Sequence, residues 1–503
     1  MLVALALLCA VAWGGERNAG VGPCPPPPGA VASGDYSLTV GSTAVFVQAF
    51  KDVHYAQLAF TGACDVAIHL AEPVGTWSLS PRRYGIQAKA RGRELRFRLD
   101  RPRHLVVQAN GLPRLFLFAE RPEKTPPQPG QAGVMVATDA GIDGAGRAVQ
   151  TKAIQAAIDA LADGQTLFFP QGVYRTGSLA LKSRTTLYLA AGALLQGSTD
   201  PKDYPPHPND GKKTSPRLIL VDGAQNVRIA GRGAVDAAGT VLRTEHGHRG
   251  RVLLVRNSRD VTIEGLVLRD PPSWNTHIVG SRRVTLRNVK LLNNPGVKNT
   301  DGFDPDASSH VLIENCFAWC GDDAVAVKSA GYDGINRDVE AVTVRGCVFL
   351  TRKSALKIGT ESRTARFRDI AFEGNDVLLC DRGMTLYCYD GATYENIRFV
   401  DNRFEQCYPD IKQRLADFAI RNRGGRGCIR NVLIRNCSAD RPWPQPSTLR
   451  GLDAEHTIRG VRFENFRIAG TVCRSAEEAR LLVGKHVDRV TFSPAPGEGD
   501  RRP

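Results

Sequence analysis

The chain has 503 residues, enough for more than one domain, and its 42 % hydrophobic and 23 % charged residues are those of an ordinary globular protein. Fifty glycines and 30 prolines against 3 methionines favour strands and turns over helices. The formal charge of +15 favours an anionic partner, but the basic residues are scattered arginines with no nucleic-acid motif among them, so nucleic acid is not expected.

Residues 2–13, LVALALLCAVAW, form an apolar run of signal-peptide length, too short to span a membrane. Ala12 and Gly14 stand at small positions before a cleavage point. A signal peptide is expected over 1–15, and with it a secreted protein, extracellular or periplasmic. No later stretch of the sequence is long and apolar enough to span a bilayer. CPPPPG at 24–29 is a stiff entry. The runs YSLTV, TAVFVQAF, CDVAIHLA, RELRFRLD, RHLVVQA and RLFLFAE then alternate apolar and polar residues, which predicts an N-terminal β-sandwich domain over 24–121. A Pro-rich linker follows at 122–133. One helix is expected over 148–164, AVQTKAIQAAIDALADG, from apolar spacing at three and four and Gly164 at its end.

The remainder repeats. An asparagine or aspartate, then an aliphatic, a polar residue and an aliphatic recur in NVRIAG, DVTIEG, NIRFVD, NVLIRN and their relatives. The first aliphatic falls at 227, 261, 284, 311, 342, 370, 397, 432 and 461, with steps of 23 to 35 residues. Each unit has the alternation of a strand with one buried face, which a single unit cannot bury; stacked units build a continuous core. A leucine-rich solenoid would need a Leu/Asn ladder, and a propeller four strands per period. The expected architecture is therefore a right-handed parallel β-helix over 134–495, with no helix between repeats, in an all-β protein. Of 12 cysteines, Cys9 lies in the leader, and no CxxC pair suggests zinc. Cys316, Cys347 and Cys437 share one phase of the repeat and are expected in the core; Cys24 and Cys64 are candidates for a disulfide.

Asp301 lies 21 residues before Asp322 and 22 before Asp323, with one repeat strand between them. In a parallel stack that separation is about one coil, so the carboxylates project from adjacent coils at about 4.8 Å spacing. Carrying the phase on from Asp323 reaches Ser354 and then Arg382, with Tyr387 and Tyr389 beside it; Trp274 and His277 lie one coil before the acids. Close carboxylates cannot all ionise at once, which supplies a protonated acid at mild pH. Acidic turns that hold a structural cation or only water are the plainer alternative.

NTDGFD (299–304) and GDDAVAVKS (321–329) resemble the two aspartate motifs of family 28 glycoside hydrolases, the polygalacturonase family. TLFFPQGVYRTGSLALKSRTTLYLAAGALLQGS (166–198) and GRGAVDAAG (231–239) are similar to further stretches of that family, and the resemblance covers roughly 134–470. The family 49 dextranases share the β-helix and the aspartates and carry a β-sandwich in front. The resemblance implies hydrolysis of an O-glycosidic bond with inversion, without metal or cofactor. Asp322 would be the general acid, Asp301 and Asp323 would activate water, and Asn299 would hydrogen-bond in the site. Asp304, Lys328, Ser354, Lys357, Arg382, Tyr387, Trp274 and His277 are the further candidate substrate contacts, with Glu361 and Tyr389 beside them. Two departures bear on the sugar. Where the family carries Gly-His-Gly this chain has Lys353, Ser354 and Ala355, and where its Arg-x-Lys carboxylate clamp should fall it has Thr385, Leu386 and Tyr387. The expected partner is therefore a polysaccharide or oligosaccharide, either a pectin-related polymer or a neutral glycan, met by a monomer. A β-helix lyase and a non-catalytic carbohydrate-binding β-helix are the competing readings.

Overall fold

A computed structural model describes residues 20–211 and 216–494, so the signal-peptide expectation over 1–15 lies outside the described residues. The chain clusters into two units. One includes 31–79 and 85–124; the other includes 25–30, 80–84 and everything described from 125 onward.

The first unit is a small sandwich of two sheets. One sheet orders Val21–Pro23, Val53–Phe60, Arg114–Glu120, Arg103–Ala109 and Trp77–Ser80, with Gln48–Phe50 also paired to Val53–Phe60. The other orders Thr43–Val45, Tyr36–Val40, Cys64–Leu70, Glu94–Leu99 and Ala88–Arg91. Alternate residues such as Leu38, Val40, Val66, Ile68, Leu95 and Leu99 are buried, as the sequence alternation predicts. No disulfide joins Cys24 and Cys64, contrary to the expectation: the amide of Cys24 bonds Gln57 O on one sheet, while Cys64 lies on the other.

Among the described residues the second unit is a right-handed parallel β-helix with three sheets, of 13, 13 and 11 strands, most coils contributing one strand to each face. The repeat position read from the sequence is a single ladder on the first face. Val227, Val261, Val284, Val311, Val342, Ile370, Ile397, Val432 and Val461 are register partners from coil to coil, and all are buried. The residue before each of the first eight has φ between 52° and 57°, from Asn226 to Asn431, and Gly460 before the ninth has φ 74°. Five of these eight are Asn or Asp, which enter the left-handed region at least expense among non-glycine residues; Arg283, His310 and Ala341 take the same conformation. Inside, polar residues stack as well. The Cys316 amide donates to Cys347 Sγ, the Cys347 amide to Asn375 Oδ1, and the Asn375 amide to Asn402 Oδ1. Asn402 Nδ2 then reaches Cys437 Sγ. The three cysteines are thus core residues, as expected, with asparagines filling the same column between them.

Helix forms over Thr151–Ala160, shorter than the expected 148–164. The strand Ala145–Val149 pairs with Gly172–Thr176 and claims the preceding residues, while Leu161 turns away with its side chain buried. Contrary to expectation, a second short helix, Gly239–Thr244, interrupts the coils; Thr240 Oγ1 and its amide both bond Asp270 at its start.

Candidate active site

The site lies on the 11-stranded face. Its central strands are β1 (Arg251–Arg256), β2 (Thr276–Val279), β3 (Phe303–Asp306), β4 (Val325–Ser329), β5 (Ser354–Ser362), β6 (Arg382–Asp390) and β7 (Arg414–Gly425), hydrogen-bonded in that order. Asp301 stands in the turn entering β3, and Asp322 and Asp323 in the turn entering β4. The Gly302 amide donates to Asp323 O at 2.9 Å, which lays the two turns side by side. A Cβ at Gly302 would come within 2.4 Å of Ala324 O, so the glycine of NTDGFD is what permits this approach. As a result one carboxylate oxygen from each of Asp301, Asp322 and Asp323 lies within 4.8 Å of the others.

Each carboxylate has a different environment. Asp323 is buried; its Oδ1 accepts the Ser354 amide at 2.8 Å and its Oδ2 faces Lys357 Nζ at 2.5 Å. Burial alone would raise its pKa, but the Lys357 and Arg382 charges overrule that and hold it down at about 2. Asp322 is the most accessible of the three, and its Oδ1 accepts the Asp323 amide. Desolvation, then the negative charges of Asp301 and Asp323, push its carboxyl up to about 8. Asp301 is also raised, by burial first and by Asp323, against the pull of Lys328 at 3.3 Å. Lys328 Nζ also lies 2.7 Å from Asp304 Oδ1, though not in hydrogen-bond alignment.

The expected phase from Asp323 through Ser354 to Arg382 is met: Ser354 and Arg382 are register partners on β5 and β6. Lys357 pairs in turn with Thr385, and Thr385 with Asp417. Trp274 sits beside the acids with Lys328 Nζ 3.7 Å from its ring centroid and Arg251 on it at 4.3 Å. Asn299 is exposed at φ 59°, at the lip of the NTDGFD turn.

Several expected sugar contacts instead lie beneath the surface. His277 is buried against Trp274 and Tyr332, with Nε2 3.0 Å from Asp306 Oδ2, and desolvation lowers its pKa to about 4. Asp304 and Ser354 have no exposed surface either: Asp304 anchors Lys328, and Ser354 acts through its amide. Tyr387 is largely covered, stacked on Tyr389 with centroids 5.0 Å apart, and its hydroxyl donates to Asp417 at 2.5 Å. Glu361, by contrast, stays partly exposed, 3.6 Å from Arg423. These corrections share one cause. Side chains on the outward face of a strand are covered when a longer loop or a neighbouring coil folds over them, and loop length is not visible in the strand period.

Sequence reasoning missed Arg251 and Tyr332, which carry the Trp274 platform, and Arg256, which is buried with Asp222, Asp210 and Asp333 around it. It also missed Asp417, which binds Tyr387, Thr448 and Arg450. Tyr332, Asp333 and Asp210 lie outside the strand repeats, so only their composition could have pointed to them.

These features define a parallel β-helix with a carboxylate cluster on its 11-stranded face. Residues 164–405 match the family described as Glycosyl hydrolases family 28. A "Probable polygalacturonase" of Vitis vinifera is 35 % identical over 217 residues, 39 % of this chain and 44 % of that protein. A "Polygalacturonase" of Ralstonia solanacearum is 24 % identical over 325 residues, 49 % of this chain and 60 % of that protein. The chain thus spans about half the length of the curated relatives it matches. In fold it is similar to a hyperthermoactive exopolygalacturonase from Thermotoga maritima (TM-score 0.58, 21 % identity, 74 % of this chain and 93 % of that one). It is likewise similar to Dex49A from Penicillium minioluteum (TM-score 0.60, 12 % identity, 93 % and 96 %). The resemblance to family 28, with a family 49 neighbour in fold, therefore holds.

Proposed function

We propose that the protein is an inverting glycoside hydrolase that cleaves O-glycosidic bonds of a polysaccharide. The observation that carries this reading is three adjacent carboxyls in different surroundings: Asp323 held by the Ser354 amide and Lys357, Asp301 by Lys328, and Asp322 left the most accessible, which raises Asp322 and lowers Asp323. Environments that push neighbouring carboxyls apart mark the acid and the base. Asp322, protonated at neutral pH and nearest the solvent, gives its proton to the leaving oxygen as the bond to the anomeric carbon breaks. Asp301 and Asp323 hold a water between them. As that water attacks the anomeric carbon from the opposite face, Asp301 takes its proton, because both Asp323 oxygens are already committed to Ser354 and Lys357.

One oxygen from each acid lies within 4.8 Å of the others, and in this reading Asp301 and Asp323 share the water. Lys328 and Lys357 already supply positive charge beside the acids, which supports a site working without metal. Trp274, half-buried beside the acids and packed by Lys328 and Arg251, is read as a wall of the sugar site. The sandwich unit is read as a separate domain, joined by the linker at 122–133, and the protein as a secreted monomer. Incubation with polygalacturonan, rhamnogalacturonan, dextran, pullulan and arabinan, followed by reducing-end assay and proton NMR, tests this. New reducing ends of inverted configuration are expected on one glycan. Retained configuration, or an unsaturated product absorbing in the ultraviolet, would contradict it.

A further inference from the structure

C-terminal to the acids on the same face, a group of arginines has no part in the chemistry above. Asp417 on β7 is fully buried and accepts from Tyr387, Thr448 at 2.7 Å and Arg450 at 2.8 Å. Arg414 stands 3.9 Å from the same carboxylate, its Nε donating to Pro446 O. Arg421 is exposed and lies over the Tyr389 ring at 4.9 Å. The other acids on this side are already engaged: Asp390 and Glu361 both face Arg423. Two guanidinium groups, Arg450 and Arg414, therefore share one buried carboxylate, with Arg421 over the neighbouring Tyr389 ring, and positive charge is left facing outward.

The arrangement is built rather than accidental. The Tyr387–Tyr389 stack supports Arg421 from beneath, and Ala419, the register partner of Tyr387, leaves room beside it. Arg450 is the register partner of Ala419, so Arg421 and Arg450 rise from neighbouring coils. Arg450 keeps more than a third of its side chain exposed even with two hydrogen bonds fixing it. Guanidinium forks held in place suit carboxylate or sulfate oxygens, and stacking on an aromatic face fixes them further. From β4 to β7 is three coils, about 14 Å at the parallel strand spacing, which is within reach of a polymer lying along this face.

We propose that Arg414, Arg421 and Arg450 form a subsite for a negatively charged sugar unit, one that carries a carboxylate or a sulfate. Thr385 and Tyr387 stand on β6 where the expected Arg-x-Lys clamp is missing, and this cluster places cationic recognition one and two coils further on. The proposal rests on the hydrolase reading only in taking the bound chain to be the one cleaved at the aspartates.

The test uses the full chain carrying Asp322→Asn, so that bound sugar is not consumed. Calorimetry compares oligogalacturonate, its carboxyl-reduced counterpart and a sulfated galactan oligomer of equal length. One charged oligomer is expected to bind about tenfold or more tighter than the neutral one, and which of them does so distinguishes carboxylate from sulfate. Arg421→Glu should abolish the preference and Arg421→Lys retain part of it, with unchanged unfolding midpoints because Arg421 is at the surface. Equal affinity for charged and neutral oligomers, or a preference untouched by Arg421→Glu, overturns the subsite. Wild type that hydrolyses only a neutral glycan overturns the subsite and leaves the hydrolase reading standing. Charge-selective binding through Arg421 with no new reducing ends upholds the subsite and overturns the hydrolase.

Discussion

Lys357→Met removes the ammonium that faces Asp323 Oδ2 at 2.5 Å while keeping the stem's volume. At that distance and an effective dielectric of about 20, the attraction is about 6–7 kcal/mol before desolvation is set against it. The net effect is smaller, because burial opposes it: Asp323 is held down at about 2 against an ordinary value of 3.8. Without Lys357, burial acts against only Arg382 and the Ser354 amide, and the carboxyl should climb to its ordinary value or beyond. The acid limb of kcat/KM, which reports the base Asp301, moves up as well, because Lys357 also pulls Asp301 down. Lys357 also lowers Asp322, so the basic limb moves up too and the whole profile slides toward alkaline pH. The sign for stability follows. A depressed pKa stabilises the fold above the unfolded value near 3.8, and that stability is lost as pH falls through about 2. The variant should therefore lose about 3–5 kcal/mol at neutral pH, since a buried charge is left without its partner. Lys357→Arg should restore most of both. The assay is the pH profile of reducing-end release, with urea unfolding at pH 7. A profile unmoved in Lys357→Met would refute the assignment of Asp323 as an anion set by Lys357.

Other outcomes follow from the same structure. Asp322 carries the opposite sign: its raised pKa means that stability present below pH 3.8 is lost as pH rises toward about 8. Asp322→Asn should therefore be more stable than wild type at pH 7, by up to about 4 kcal/mol, and no different at pH 3.5, as read by urea midpoints. Asn396, at φ 57° ahead of buried Ile397, should lose about 1–2 kcal/mol on Asn396→Val, because a β-branched residue resists the left-handed region; thermal unfolding checks this. Dialysis against EDTA should leave turnover unchanged, and activity that returned only with added calcium would count against the metal-free mechanism.

The fold was legible because the β-helix writes its period into the chain. The aliphatics at 227 through 461 mark a ladder whose coil-to-coil pairing needs no knowledge of the loops. The same phase carried Asp323 to Ser354 and Arg382, and it put Asp301 one coil from Asp322. What the phase does not report is cover. His277, Asp304 and Tyr387 occupy outward positions on their strands yet are buried, because Trp274, Tyr332 and neighbouring coils fold across them. Nor does it report pairing between loops, such as Arg256 with Asp210 and Asp333. The helix at 239–244 escaped notice because its six residues are too few for a periodic signal.

The central claim is that Asp322 delivers the proton to the leaving oxygen. The most direct test is turnover of Asp322→Asn beside wild type, on the glycan that wild type cleaves, with circular dichroism showing both folded. Asparagine has nearly the shape of aspartate and no proton to give, so the account predicts loss of all but a residual rate, with substrate binding kept. An Asp322→Asn enzyme that turns over at the wild-type rate would place the acid elsewhere and contradict the account.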